Sequence, residues 1–325
     1  MESNRLQKSL SEFVRMKELG ALAGLLIVML AFSILSRRFL TARNLVNVFT
    51  VTSELGIMAV GVCFLMIAGE FDLSVSSVFA IAPMIGAVVA RSGAPLIVGI
   101  FVGLLVAAGI GFINGQLVLR TGVPSFIVTL GGLMFYRGVI LAVSRGFPVD
   151  YLEPAALMHL LGGRTAFFGL RWSGLWFIIL VVIFQIILAR TRYGNHVSAV
   201  GGNPGTAKAV GIDVWRVKLT NFMLCSLTAA MAGFMRFGRF RSVDPTSGQL
   251  MELEAIAACV IGGALLTGGY GSIVGAFVGA FLMGVMRSGL ILAGAPPYWY
   301  QGFIGVVLVI SVILNTRIRK AVAGG

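Results

Sequence analysis

Apolar runs separated by short polar breaks dominate this chain. Ten of them read as membrane-crossing helices, at about 19–36, 44–68, 73–91, 95–119, 125–144, 173–189, 217–237, 252–267, 271–293 and 298–315. Most approach the ~20 apolar residues that a helix needs to cross the hydrocarbon core. A strand-built barrel would instead show alternating segments of about ten residues. The pattern predicts an all-α polytopic membrane protein with about ten transmembrane helices. The third, fifth and eighth runs are short or glycine-rich, which leaves open whether they are straight, broken or re-entrant.

An even number of crossings places both termini on one side, expected to be cytoplasmic. Every lysine then falls on that side, at Lys8, Lys17, Lys208, Lys218 and Lys320, as the bias of basic residues toward cytoplasmic loops requires. Residues 1–18 form a polar lead with Leu6, Leu10, Phe13 and Val14 on one helical face beside Arg5, Lys8, Arg15 and Lys17. That predicts a short amphipathic helix on the cytoplasmic membrane surface. Residues 19–315 form a single transmembrane domain, and 316–325 a cytoplasmic tail. Polar residues continuing to Glu18 without a small-residue cleavage site argue against a secretory signal.

The polar run at 190–218 is the exception to the membrane pattern. Asn203 can cap a helix, Pro204 suits its first position, and Gly211 supplies a left-handed stop about two turns later. A helix that short is unstable alone in water. It is either an ordinary loop helix or a place where something docks.

Composition sharpens the class. The chain is 58% hydrophobic and 11% charged, with mean hydropathy +0.97; a soluble domain carries about 25% charged residues. The net charge of +13 therefore suits headgroups and topology rather than nucleic acid. Cys63, Cys225 and Cys259 lie inside apolar runs and read as small core residues. His159 and His196 have no metal spacing, no nucleotide-binding P-loop motif occurs, and no Ser/His/Asp set can be assembled. No metal, cofactor or catalytic residue is expected.

Ala107, Gly111 and Gly115, and again Gly271, Gly275 and Gly279, are spaced four apart; such stripes let helix backbones pack closely in lipid. Charges within spans are costly and invite a functional reading. Glu54, Arg137 and Arg287 either line a polar pathway or pair with other charges. Glu252 and Glu254 read as a cap on the eighth span, since carboxylates favour a helix N-terminus. The outer loop 145–172 is the best candidate for contact with an extracytoplasmic partner.

Several stretches together resemble one family. Gly69-Glu70-Phe71-Asp72-Leu73-Ser74-Val75-Ser76-Ser77 is similar to the family's G-G-I-D-L-S-V-G-S. Ile113-Asn114-Gly115 followed by Pro124-Ser125-Phe126-Ile127-Val128-Thr129-Leu130-Gly131 is similar to I-N-G and P-x-F-I-x-T-L-G. Ala199 to Asn203 with Gly211-Ile212, Glu252 to Ala258 with Ile261-Gly262-Gly263, and Gly268 to Ser272 follow in family order. The chain thus resembles the permease subunits of ribose-type (monosaccharide) bacterial ABC importers, of type II-like architecture. Glu70, Phe71 and Ser76 depart from that pattern, and Glu54 falls where the family often has an uncharged residue. A polyol, an amino sugar or a cationic solute therefore stays open.

The resemblance implies a bacterial inner-membrane permease that translocates a monosaccharide. It implies a second permease subunit, expected to be identical, a cytoplasmic ABC ATPase and a periplasmic sugar-binding protein, within a lipid bilayer and without nucleic acid. It makes 190–217 a coupling loop in which Gly202, Asn203, Pro204, Ala207, Lys208 and Gly211 meet the ATPase. For the translocation path the candidates are Glu54, Asp72, Asn114, Phe126 and Thr129, with Asp72 equally able to cap the third span. The alternatives are an ion-coupled secondary transporter, which would want more buried charge and internal repeats, and a non-transporting membrane scaffold.

Overall fold

The computed structural model describes residues 2–153, 156–166, 169–296 and 298–323; side chains of residues 2–18, 311–312 and 314–323 lie outside the description. In chain order the helices are α1 (Glu2–Leu35), α2 (Ala42–Ile67), α3 (Val75–Arg91), α4 (Leu96–Thr121) and α5 (Ser125–Ser144). There follow α6 (Ala156–Gly162), α7 (Trp172–Arg190), α8 (Arg192–Gly202), α9 (Pro204–Ala209) and α10 (Val214–Phe240), then α11 (Met251–Ile261), α12 (Ile273–Leu292) and α13 (Trp299–Ala323). One two-stranded antiparallel sheet, β1 (Val149–Asp150) on β2 (Ser242–Val243), ties the loop after α5 to the end of α10.

Six helices, α2, α4, α5, α7, α10 and α12, are long and apolar enough to cross a membrane. Shorter apolar helical stretches occupy Leu19–Leu35, Val75–Arg91 and Trp299–Ile310. Helix α2 is buried along almost its whole length and packs against α10, α12, α7 and α11. Around it α3 meets α4 and α5, α10 meets α3 and α4, and α11 meets α12 and α13. The small-residue stripes lie where backbones touch. A β-carbon on Gly111 would come within 2.6 Å of the Phe222 carbonyl on α10, and one on Gly279 within 2.0 Å of the Ala258 carbonyl on α11.

Four sequence readings gain detail from the structure. The run at 252–267 is helical only as α11, whose 11 residues rise ~16 Å, about half the hydrocarbon thickness. Gly263 and then Gly268 and Gly269 adopt positive φ of 94°, 80° and 80°, which turn the chain back before α12. The polar lead runs on into the first span, since α1 is continuous from Glu2 to Leu35; the orientations of Leu6, Leu10, Phe13 and Val14 lie outside the described residues. The 316–325 tail is helical to Ala323 as part of α13. Helix α8, within the polar run at 190–218, is additional. Thr191 caps it by accepting the Gly194 N–H at 3.2 Å, and Gly194, Val197, Val200 and Gly201 are its buried residues.

Candidate transport pathway and docking helix

Helix α9 is built as its residues dictate. The Asn203 side chain accepts the Thr206 N–H at 3.0 Å, and Pro204 occupies the first turn. At the other end the Gly211 N–H donates to the Lys208 carbonyl at 3.1 Å and the Ile212 N–H to Ala207 at 3.0 Å. With Gly211 at φ 86°, this is a Schellman stop, which satisfies carbonyls left open at a helix end. Ala207 is buried, whereas Gly202, Asn203, Pro204, Lys208 and Gly211 are exposed. Val210 is 72% exposed. The result is a two-turn helix, capped at both ends, that offers nearly all its surface outward.

Against the end of α8 lies the non-helical segment between α2 and α3, where a β-carbon on Gly69 would come within 3.5 Å of the Gly201 Cα. There Asp72, Asn114 and Thr129 come together. Asp72 Oδ1 accepts from the Ser74 backbone N–H at 2.8 Å and the Ser74 hydroxyl at 2.6 Å. Asn114 on α4 donates to Ser74 Oγ at 2.8 Å, and the Tyr136 hydroxyl on α5 donates to Asn114 Oδ1 at 3.0 Å. Thr129 and Ser125 on α5 accept the N–H groups of Leu73 and Phe71, each at 3.1 Å. Asp72, Asn114 and Thr129 are at most 1% exposed, so this network holds a break in the helices rather than facing open space.

Phe126 and Glu54 are not part of that cluster. Phe126 is 54% exposed on α5, the helix whose buried residues reduce to Ser125, Thr129, Tyr136, Ile140 and Ser144. Glu54 sits on α2, 3% exposed, with Arg239 Nη1 at 3.1 Å and Arg236 Nη1 at 3.6 Å on α10. Arg287 on α12 lies 3.2 Å from Glu254 Oε1, and the Tyr300 hydroxyl donates to Glu254 Oε2 at 2.9 Å. Glu254 is thus a buried ion-pair partner as well as a first-turn acid. Arg137 on α5 donates to the carbonyls of Ser247 at 3.0 Å and Ser76 at 3.1 Å. Of the three charges singled out within spans, Glu54 and Arg287 are therefore ion-paired, while Arg137 is held by backbone carbonyls.

A cavity of about 160 Å³ opens at the end opposite α9, between α11, α12 and α13, lined in part by Gln249, Glu254, Arg287, Tyr300 and Gln301. In the loop between α10 and α11, Asp244 is held below the usual carboxylate range by the Thr246 hydroxyl and N–H. No group of three or more metal-ligating side chains is present among the described residues.

Sequence reasoning missed Ser74, Ser125 and Tyr136 as members of the Asp72 network, and Arg236 and Arg239 as partners of Glu54. The partners of Glu54 lie more than 180 residues away along the chain, at and just beyond the end of the run read as the seventh span. Ser125 and Thr129, four apart on one helix face, carried a local signal.

A family model described as the branched-chain amino acid transport system permease component matches residues 44–312. The chain is 33% identical over 302 residues to the ribose import permease of Bacillus subtilis, covering 93% of this chain and 94% of that protein. It is 31% identical to the xylose transport system permease of Escherichia coli K12, covering 92% and 91%. To the fructose import permease of Rhizobium meliloti it is 33% identical, covering 92% and 85%. The chain belongs to this family of transport-system permeases and is a multi-pass protein of the bacterial inner membrane.

Proposed function

We propose that the chain is the membrane permease subunit of an ATP-driven importer that carries a monosaccharide or a closely related small polar solute. The relatives named for ribose, xylose and fructose support the sugar class, since each aligns along nearly the whole chain. The proposed layout keeps ten passes with both ends cytoplasmic: six long spans and three shorter apolar helices support nine of them, and the short α11 with the non-helical chain after it is taken as the tenth. ATP is hydrolysed by a separate cytoplasmic ABC ATPase. A periplasmic sugar-binding protein delivers the solute, and a second copy of the chain completes the path.

The observation that carries this reading is α9. Two turns, capped at both ends and exposed on all but one residue, have no stability of their own and suit seating in a cleft of the ATPase. Gly202, Asn203, Pro204, Ala207, Lys208 and Gly211 are its contact and shape-setting residues. The path runs along the open face of α5, with Phe126 on it, while Asp72, Asn114 and Thr129 fix the geometry of its inner end. Glu54 supports the path through its pairing with α10. An ion-coupled transporter would need a buried charge free to change partners, and Glu54 is already held by two arginines.

The test is uptake of labelled pentoses and hexoses into proteoliposomes holding the permease, its ATPase and its binding protein. Uptake should require ATP on the ATPase side. Uptake driven by a proton or sodium gradient with no ATP present would overturn the reading.

A further inference from the structure

Force applied to α9 must reach the spans through whatever α9 is attached to, and the attachment is narrow. Helix α8 before it meets the last residue of α2 at Gly201, where a β-carbon would lie 1.8 Å from the Ile67 carbonyl oxygen. That same oxygen accepts the Gly269 N–H at 2.8 Å, so the loop between α11 and α12 is gathered at the same point. Helix α10 after it begins at Asp213, whose side chain accepts the Arg216 N–H at 3.0 Å.

One turn into α10, Lys218 Nζ meets Glu70 Oε1 at 2.5 Å, with side chains 13% and 12% exposed. Glu70 lies three residues beyond Ile67 in the α2–α3 break. The next residues are those that bind α5: the Phe71 N–H donates to Ser125 and the Leu73 N–H to Thr129. The segment 67–73 is therefore gripped on one side by α8 and α10, which flank α9, and on the other by the first turns of α5. Of these grips, the Lys218–Glu70 contact is an ion pair across 148 residues of chain and is mostly withdrawn from water. An ion pair so placed is screened less by salt than an exposed one.

We propose that Glu70 and Lys218 are a positioning pair that carries the displacement of α9 through segment 67–73 to α5, and so sets how much solute moves per ATP hydrolysed. The inference rests on the importer reading above and extends it to residues outside the docking helix. A coupling element of this kind is a contiguous physical link whose loss changes coupling without removing either site.

The experiment uses the complete transporter, permease with ATPase and binding protein, in proteoliposomes. Glu70→Gln and Lys218→Met are compared with the exchange E70K/K218E, and three quantities are read: ATPase retained on the permease, ATP hydrolysed and solute taken up. The single variants should retain the ATPase and hydrolyse ATP, while uptake per ATP falls about tenfold. The exchange should restore most of that loss, because attraction across the pair survives reversal of its charges. Unchanged uptake per ATP in the single variants would overturn the proposal, as would an exchange that assembles normally but transports no better than they do. Should Glu70→Gln fail to insert, Glu70→Asp keeps the charge one methylene short and should show a partial loss of coupling; full coupling there would overturn it equally. Failure of the importer reading looks different, since the unaltered protein would then neither hold an ATPase nor take up solute with ATP.

Discussion

Gly201 lies directly against the carbonyl oxygen of Ile67, and a β-carbon in its place would stand 1.8 Å from that oxygen and 2.6 Å from the Gly269 nitrogen. Both neighbours are backbone, so neither can rotate away. Gly201→Ala should push α8 off the membrane domain at a cost of roughly 1–3 kcal/mol, the range for overpacking a filled site. Gly202→Ala, whose nearest neighbour would be the Gly269 Cα at 3.8 Å, should be tolerated. Thermal unfolding of the purified variants in detergent compares them directly; equal stability would contradict the packing described.

Much of this was open to a reader of the sequence, and the reasons are local. Asn203, Pro204 and Gly211 encode α9 in consecutive residues, because caps and stops act over a single turn. Apolar length marks the spans in the same way. Helix α8 is harder to see: its glycines Gly194, Gly201 and Gly202 argue against a helix, and they are tolerated because two of them are buried at close contacts. The shortness of α11 is masked by the apolar residues that continue through Leu266, past the left-handed Gly263 that follows the helix end, in a run that still reads as membrane. Of the residues proposed for the path, Asp72, Asn114 and Thr129 converge through long-range contacts that no spacing reveals.

The Glu54 pairs test the electrostatics of the core. Glu54→Gln leaves Arg239, 13% exposed, without its counter-charge, which for a buried pair costs about 3–5 kcal/mol. Arg236 is 36% exposed and adds little, since water screens it. The double replacement Glu54→Leu with Arg239→Met should recover a large part of the loss, because no charge is then stranded. Detergent unfolding midpoints decide this, and a double variant less stable than the single one would count against it.

Asp72 separates support of the path from contact with the solute. Its carboxylate is occupied by the Ser74 N–H and hydroxyl. Asp72→Ala should destabilise the protein by about 1–3 kcal/mol by stranding buried donors. Asp72→Asn keeps an acceptor oxygen and should leave the apparent KM for the solute unchanged. A KM that rises in a well-folded Asp72→Asn variant would place Asp72 in direct contact with the solute instead.

Gly211→Val tests the stop of α9. No heavy atom lies within 4 Å of the position where a β-carbon would sit, but φ is 86°, so the penalty is backbone strain of about 1–2 kcal/mol rather than a clash. The spans should fold while ATP hydrolysis continues with much reduced uptake. Normal uptake per ATP would remove Gly211 from the coupling element.

The most direct measurement is recovery of the tagged protein from its native membranes in mild detergent, with the chains that accompany it identified by mass spectrometry. A P-loop ATPase should co-purify, and should be lost when residues 204–209 are replaced by a flexible glycine-serine stretch of equal length. Recovery of a well-folded permease with no ATPase, or with an ATPase that stays bound after that replacement, would contradict the assignment of α9 as the docking helix.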